Sequence, residues 1–173
     1  MKKKLLLPLM ALVLALSFLM TACGDEDKDK DDDEDSTPKY EAPIEAYFKT
    51  METGSAKEAK KCFCQTEIKK NEDQNGDDYY DKLAENLNKM AEDELGENVR
   101  ITYKIKDKDK LDDDDLENYS DRLQSRCDDD DIEVTEGYKV KAKVKIKGDD
   151  DEEEDTDTFY VGKVDGKWVV LDV

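Results

Sequence analysis

Apolar residues follow three different patterns along the chain. A nearly continuous apolar run covers Leu5 to Leu19, no apolar side chain occurs from 24 to 37, and periodic patterns begin at Tyr40. A segment with nothing to bury cannot offset the entropy lost on ordering. We therefore predict a leader over 1–22, a disordered acidic tether over 23–38 and one folded domain over 39–173.

Helical periods predict four helices between Tyr40 and Cys127. Gly54 ends the first, Ser55 and Glu58 form a capping box for the second, and Gly96 ends the third. The polar stretch 71–78 predicts a turn between the second and third, and the carboxylates of 112–115 favour the start of the fourth. The inward positions are Tyr40, Ile44, Tyr47, Phe48 and Met51, then Ala56, Ala59, Cys62 and Phe63, then Tyr80, Leu83, Leu87, Met90, Ala91 and Leu95, then Leu116, Tyr119, Leu123 and Cys127.

Strict alternation of apolar and polar residues predicts the strands. One strand covers 99–106, and Tyr138 to Lys147 is the clearest, with Gly137 separating it from Ile132 and Val134. We predict a long acidic hairpin loop over 148–156, a strand over 158–164, a tight turn at Asp165-Gly166 and a last strand over 167–173. Helices early in the chain and a meander of strands at its end indicate an α+β fold, with the helices packed on an antiparallel sheet.

The leader has the layout of a secretory signal peptide. Lys2, Lys3 and Lys4 precede the apolar run, and Leu19-Met20-Thr21-Ala22-Cys23 follows it. That ending resembles the lipobox of bacterial lipoproteins, with Met20 where Leu is commonest. The resemblance implies acylation of Cys23, cleavage before it, and a lipid-anchored chain on the extracytoplasmic face of the cell membrane. An uncleaved transmembrane helix over 5–22 is the alternative, and whether the membrane is the inner or the outer one stays open.

Charge narrows the possible partners. The net charge is −20, and removing Lys2, Lys3 and Lys4 with the leader makes it −23. Such a surface repels nucleic acid and anionic lipid headgroups. The chain has no histidine, which excludes histidine-based nucleophilic and metal chemistry.

Two local patterns could carry chemistry. Asn71, Asp73, Asn75 and Gly76 match part of a calcium loop, but Lys82 stands where a bidentate glutamate is needed, so we prefer a polar turn. A row of lysines could bind a polyanion, although exposed sheet faces carry lysine for solubility, and nearby acidic runs can neutralise it. The row is Lys139, Lys141, Lys143, Lys145 and Lys147.

The cysteines beyond Cys23 leave several possibilities open. Cys62 and Cys127 both fall on apolar helix phases, so a disulfide between them is possible in an extracytoplasmic protein. Three free or buried thiols, Cys64 included, are the alternative, and a metal site made of three cysteines without histidine would be unusual.

Several short motifs resemble small extracytoplasmic lipoproteins with NTF2-like (cystatin-like) domains, many of unknown function. The resemblance spans 39–173 and implies a curved sheet wrapped against the N-terminal helices to form a cone with an apolar pocket. The helix at 112–127 departs from that order and leaves the strand order open. The motifs are Pro43-x3-Tyr47-Phe48, Gly54-Ser55-x3-Ala59-x3-Phe63 and Val164-Asp165-Gly166-Lys167-Trp168-Val169-Val170.

We expect a non-catalytic module that binds a small molecule or a protein and needs no cofactor or metal. Candidates for the pocket lining are Tyr47, Phe48, Met51, Tyr103, Tyr138 and Trp168, unless these side chains simply fill the core. The first alternative is a carboxylate-dependent isomerase or hydratase, as known in the NTF2-like fold. The inward positions of the predicted strands carry no carboxylate, so Asp172 is its candidate. The second alternative is weak calcium binding by the acidic runs.

Overall fold

The computed structural model describes residues 39–173, so the predicted leader, tether and Cys23 lie outside the described residues. Helices and a four-stranded antiparallel sheet confirm the predicted α+β class. A 3₁₀ turn, Lys39–Glu41, comes first. The elements that follow are α1 (Ala42–Thr53), α2 (Ala56–Lys61), α3 (Gln65–Asn75), α4 (Tyr79–Leu95), β1 (Arg100–Lys110), α5 (Asp113–Cys127), β2 (Val134–Lys147), β3 (Glu152–Val164) and β4 (Lys167–Asp172).

Most helix ends fall where the sequence signals place them. Gly54 ends α1 in a left-handed conformation with φ 61°, and its N–H donates to the Thr50 carbonyl at 2.9 Å. The Ser55 hydroxyl accepts from the Glu58 N–H at 3.4 Å at the start of α2. The Asp112 carboxylate caps α5 by accepting from the N–H of Asp115 at 2.8 Å. These groups satisfy backbone donors and acceptors that a helix end leaves unpaired.

The predicted boundary between the second and third helices is wrong. The chain turns at Cys62–Cys64 and then forms α3, which stays helical through Asn75, so the turn covers 76–78 rather than 71–78. Gly76, with φ 96°, ends that helix, and its N–H donates to the Glu72 carbonyl at 2.8 Å. The polar residues of this stretch therefore form an exposed helix surface.

The sheet has the order β1-β2-β3-β4, and two predicted interruptions are absent from it. Gly137 lies inside β2, where a Cβ would come within 2.6 Å of Leu111 Cδ1, so glycine lets the β1–α5 connection approach the strand. The predicted loop 148–156 is also wrong, because β3 already begins at Glu152. Its acidic residues lie opposite the lysines of β2, with Lys143 and Lys145 bound to Glu154 and Glu152 at 2.7 and 3.0 Å.

Helices cover both faces of the sheet. The inner core joins the inner face of the sheet to α1 and α4, and the outer core joins the outer face to α5. The inner core contains Ile44, Ala46, Tyr47, Phe48, Met51, Cys62, Leu87, Ala91, Leu95, Val99, Val140, Ala142, Val144, Ile146, Phe159 and Val161. The outer core contains Cys64, Leu111, Tyr119, Leu123, Cys127, Ile132, Val134, Val164, Val169 and Leu171.

Candidate functional site

The space between α1 and the inner face is filled by side chains. Tyr47, Phe48 and Met51 are only 5%, 4% and 1% exposed. The Phe48 ring contacts the rings of Tyr103 and Phe159, with centroids 5.1 and 5.4 Å apart. These three residues, predicted as possible pocket lining, instead fill the core, as the alternative interpretation of the sequence expected.

The cavity bordering Tyr47, Thr50, Leu87 and Val170 has a volume of about 30 Å³. A single buried water needs roughly 10–15 Å³ by this measure, whereas ligand pockets measure several hundred cubic ångströms. Space of this size does not accommodate an organic substrate.

Tyr138 and Trp168 lie together near the edge of the inner core. Their rings stack with centroids 5.6 Å apart and an interplanar angle of 22°. Tyr40, just before α1, adds a third ring at 5.2 Å from Tyr138 and 6.5 Å from Trp168. All three are half-buried. We call Tyr40, Tyr138 and Trp168 the aromatic cluster.

The local folding explains how these three residues meet. Tyr138 is the first member of the inner-facing row of β2, and Trp168 comes just after the tight turn at Asp165-Gly166. Tyr40 lies in the 3₁₀ turn where the described chain begins. The aromatic cluster thus lies next to the point at which the predicted tether joins the domain.

A lysine supplies the positive charge of the aromatic cluster. The Lys108 ammonium lies 4.8 Å from the ring centroid of Tyr40 and 4.5 Å from that of Tyr138. Burial, followed by a hydrogen bond with Glu41, raises the pKa of the Tyr40 phenol, so that ring stays neutral at physiological pH. A cation over neutral, half-buried rings suits a partner that offers both apolar surface and a hydrogen-bond acceptor.

The inner face carries a carboxylate that the sequence analysis missed. Asp157 is 8% exposed and in phase with Phe159 and Val161, so the expectation of no inward carboxylate on the strands is wrong. Extending the strand phase two residues before Phe159 would have found it. Burial, reinforced by Asp155 and Glu153, raises the pKa of Asp157 to about 6.

Asp157 and Tyr47 together present two unpaired polar atoms. The Asp157 Oδ2 and the Tyr47 hydroxyl are buried oxygens without a hydrogen-bond partner within the described part of the chain. Burial, then the nearby Cys62 and Asp157, raises the pKa of Tyr47. A carboxyl with a pKa near neutrality beside a phenol could exchange protons, but Asp157 does not line the cavity described above.

The carboxylate that the sequence suggested, Asp172, has a structural partner. It lies on β4 with its side chain 28% exposed, and its Oδ2 is 3.4 Å from an Arg122 guanidinium nitrogen of α5. This ion pair ties α5 to the last strand.

The three cysteines of the domain are free and buried. Cys62 belongs to the inner core, where its thiol lies 3.6 Å from the Pro43 carbonyl. Cys64, not Cys62, is the neighbour of Cys127 in the outer core. The structure therefore does not bring together the two cysteines that the sequence pattern suggested.

The lysine row lies on the outer face beside opposite charges. Lys141 contacts Asp107 at 3.5 Å, in addition to the two pairs with β3. The partial calcium motif is helical through Asn75, so its first three ligand positions do not form a loop. Between residues 39 and 173, no group of three or more carboxylate or thiol side chains is arranged to hold a metal ion.

None of the helices described between Lys39 and Val173 is long and apolar enough to cross a bilayer. Comparisons with models of protein families, with curated proteins and with solved structures found no match.

Proposed function

We propose that the protein is a lipid-anchored, extracytoplasmic membrane protein whose NTF2-like domain binds a protein partner without catalysis. The basic cluster, apolar run and lipobox-like ending at Cys23 support the anchor. The acidic stretch that follows supports a spacer, because like charges extend a chain.

The fold proposal has support in the packing of the helices. An N-terminal helix lies against one face of an antiparallel sheet whose last three strands form a meander, as the NTF2-like resemblance implies. Helix α5 inserted between β1 and β2 is a departure, and it covers the opposite face of the sheet.

One observation carries the binding proposal: the inner face is filled, while the aromatic cluster is half-buried at its edge. Aromatic side chains that are partly exposed over a packed core are typical anchors of protein interfaces. Lys108 above two of the rings adds a charge that a partner's carboxylate could pair with.

The anchor is tested by metabolic labelling with a fatty acid and by detergent phase partition. We expect wild type to be labelled and to enter the detergent phase, and Cys23→Ala to lose the label and keep its leader. Cys62→Ala is the matched control and should behave as wild type. Label retained by Cys23→Ala would contradict acylation at this residue.

The binding surface is tested by placing a photoreactive phenylalanine analogue at single positions in cells. We expect an adduct with a protein from positions 40 and 168, and none from Tyr160, a half-buried tyrosine on the opposite face. Trp168→Ala should then weaken binding of the captured protein by at least about tenfold. Equal adducts from all three positions, or no adduct at 40 and 168, would refute the proposal.

Asp157 favours a second candidate function, a carboxylate-dependent enzyme. Its raised pKa and its unpaired oxygen near a tyrosine are properties of a general acid or base. The candidate requires the inner core to open, since the present cavity holds about one water molecule. Screening for proton exchange of carbonyl compounds with wild type and Asp157→Asn tests it, and equal rates would exclude it.

A further inference from the structure

Three side chains spaced three residues apart, from the N-cap of α3 through its second turn, face the end of α5. Residues three apart on a helix share one face, and each of the three meets a partner. Arg126 Nε lies 3.0 Å from Glu67 Oε1, and Lys70 pairs with Asp128. The three facing pairs are Cys64 with Cys127, Glu67 with Arg126 and Lys70 with Asp128.

The two thiols lie together in the outer core, between the start of α3 and the end of α5. Cys64 and Cys127 are 1% and 6% exposed and belong to the outer core. Cys64 is the N-cap residue of α3, a position where a helix favours negative charge. The neighbouring Cys127 thiol, followed by the backbone N–H of Glu67, lowers the pKa of Cys64 against the effect of burial.

Cys127 has the opposite role in the pair. Its hydrogen bond to Cys64 raises the pKa of the Cys127 thiol, and burial adds to the effect. Cys64 therefore loses its proton more readily than Cys127, which makes Cys64 the attacking thiol of the pair. Cys62 is excluded, because it lies in the other core against the Pro43 carbonyl.

We propose that Cys64 and Cys127 are a disulfide-forming pair that covalently joins α3 to α5 when the protein meets an oxidant that itself carries a disulfide. The Cys64 thiolate attacks one sulfur of the external disulfide, which breaks that bond and releases one thiolate. Cys127 then loses its proton to the released thiolate and attacks Cys64, which expels the second thiolate. Two protein thiols are oxidised and one external disulfide is reduced to two thiols.

A disulfide between Cys64 and Cys127 would stabilise the packing of α3 on α5 in the outer core. The chain between the two cysteines includes α3, α4, β1 and α5, so the crosslink closes a long loop and removes entropy from the unfolded chain. Because both sulfurs are buried, exchange in the folded protein requires the end of α5 to open.

The test uses the full chain, purified in detergent and treated with excess oxidised glutathione. Trypsin releases Cys62 and Cys64 in one peptide, 62–69, and Cys127 in another, 127–139. We expect these peptides joined, with a mass lower by two hydrogen atoms and lost on reduction. Chymotrypsin cleaves after Phe63 and so separates Cys62 from Cys64, and the bond should stay with Cys64.

Three variants complete the design. Cys62→Ser should keep the crosslink, while Cys64→Ser and Cys127→Ser should abolish it. Oxidation should raise the Tm of wild type and Cys62→Ser by roughly 5–10 °C, reversibly. A crosslink that uses Cys62, or free thiols on both Cys64 and Cys127 after oxidation in mild denaturant, would overturn the proposal. The outcome does not depend on Cys23 acylation, since the oxidant is supplied.

Discussion

Asp157 places a carboxylate among apolar neighbours of the inner face. Its Oδ2 has no hydrogen-bond partner among residues 39–173, and the nearest elements offer the Tyr47 phenol and two further carboxylates, Asp155 and Glu153. Burial without a positive partner disfavours the charged form. The side chain therefore destabilises the folded protein at neutral pH.

Substitution of Asp157 by Asn should stabilise the protein in a pH-dependent way. The folded-state pKa is about 6, above the ordinary value of 3.8, so the folded protein binds the proton more tightly than the unfolded chain. Stability is lost as the pH rises from about 4 through 6. Asp157→Asn should thus raise the free energy of unfolding by about 1–2 kcal/mol at pH 7, and by almost nothing at pH 4.

Urea unfolding at both pH values measures this difference. The control is Asp109→Asn, which changes an exposed aspartate of β1 and should leave stability unchanged at either pH. A loss of stability at pH 7 in Asp157→Asn would mean that the carboxylate has a favourable partner.

The β2–β3 turn docks on the end of α4. The backbone N–H groups of Asp150 and Asp151 both donate to the Leu95 carbonyl, at 2.9 and 3.1 Å. The Asp149 N–H donates to the Glu97 carbonyl at 3.0 Å. The first two bonds satisfy the Leu95 carbonyl, which the end of the helix leaves unpaired, and all three require a close approach at Gly148.

Gly148→Ala should break this docking. An added Cβ would lie 2.2 Å from the Leu95 carbonyl oxygen, a backbone atom that cannot rotate away. We expect a loss of about 2–4 kcal/mol in the free energy of unfolding. Gly166→Ala is the matched control, because no atom of the described part of the chain lies within 4 Å of that Cβ and the φ of +78° costs only about 1 kcal/mol. Similar losses in the two variants would contradict the steric explanation.

The sequence correctly predicted the element ends that are marked by a capping or turn residue. The Gly96 stop of α4, the Asp112 cap of α5 and the Asp165-Gly166 turn are all present. The start of β3 could not be predicted, because Asp and Glu have low strand propensity. Their lysine partners on β2 outweigh that preference, and only the sheet register reveals them.

The candidate site was predicted only in part for a similar reason. Periodicity identified Tyr47, Phe48, Tyr138 and Trp168 as inward residues, but it could not separate those at the centre of the core from those at its edge. The sequence pattern paired Cys127 with Cys62 rather than with Cys64. It could not show that the chain turns between α2 and α3, which places Cys64 in the outer core beside Cys127.

Acidic charge is concentrated at the ends of α5 and around the β2–β3 turn. Carboxylates flank both ends of α5, at 112–115 and 128–131, and continue along 149–155. The lysine pairs of the outer face are surface pairs, since their side chains are about half exposed, and such pairs contribute little. Because the net charge is −20, repulsion among the carboxylates should outweigh these attractions at low salt.

Salt should consequently stabilise the protein. Raising NaCl from about 10 to about 150 mM shortens the Debye length from roughly 30 to 8 Å, and we expect the Tm to rise by several degrees. The double variant Asp130→Asn and Asp131→Asn removes two exposed charges and should show a higher Tm at low salt and a smaller rise. A Tm that falls with salt would instead show that the ion pairs between β1, β2 and β3 dominate. The same net charge of −20 also repels the acidic surfaces of other proteins. The size of the salt response therefore indicates how much repulsion a partner must overcome to bind at the aromatic cluster.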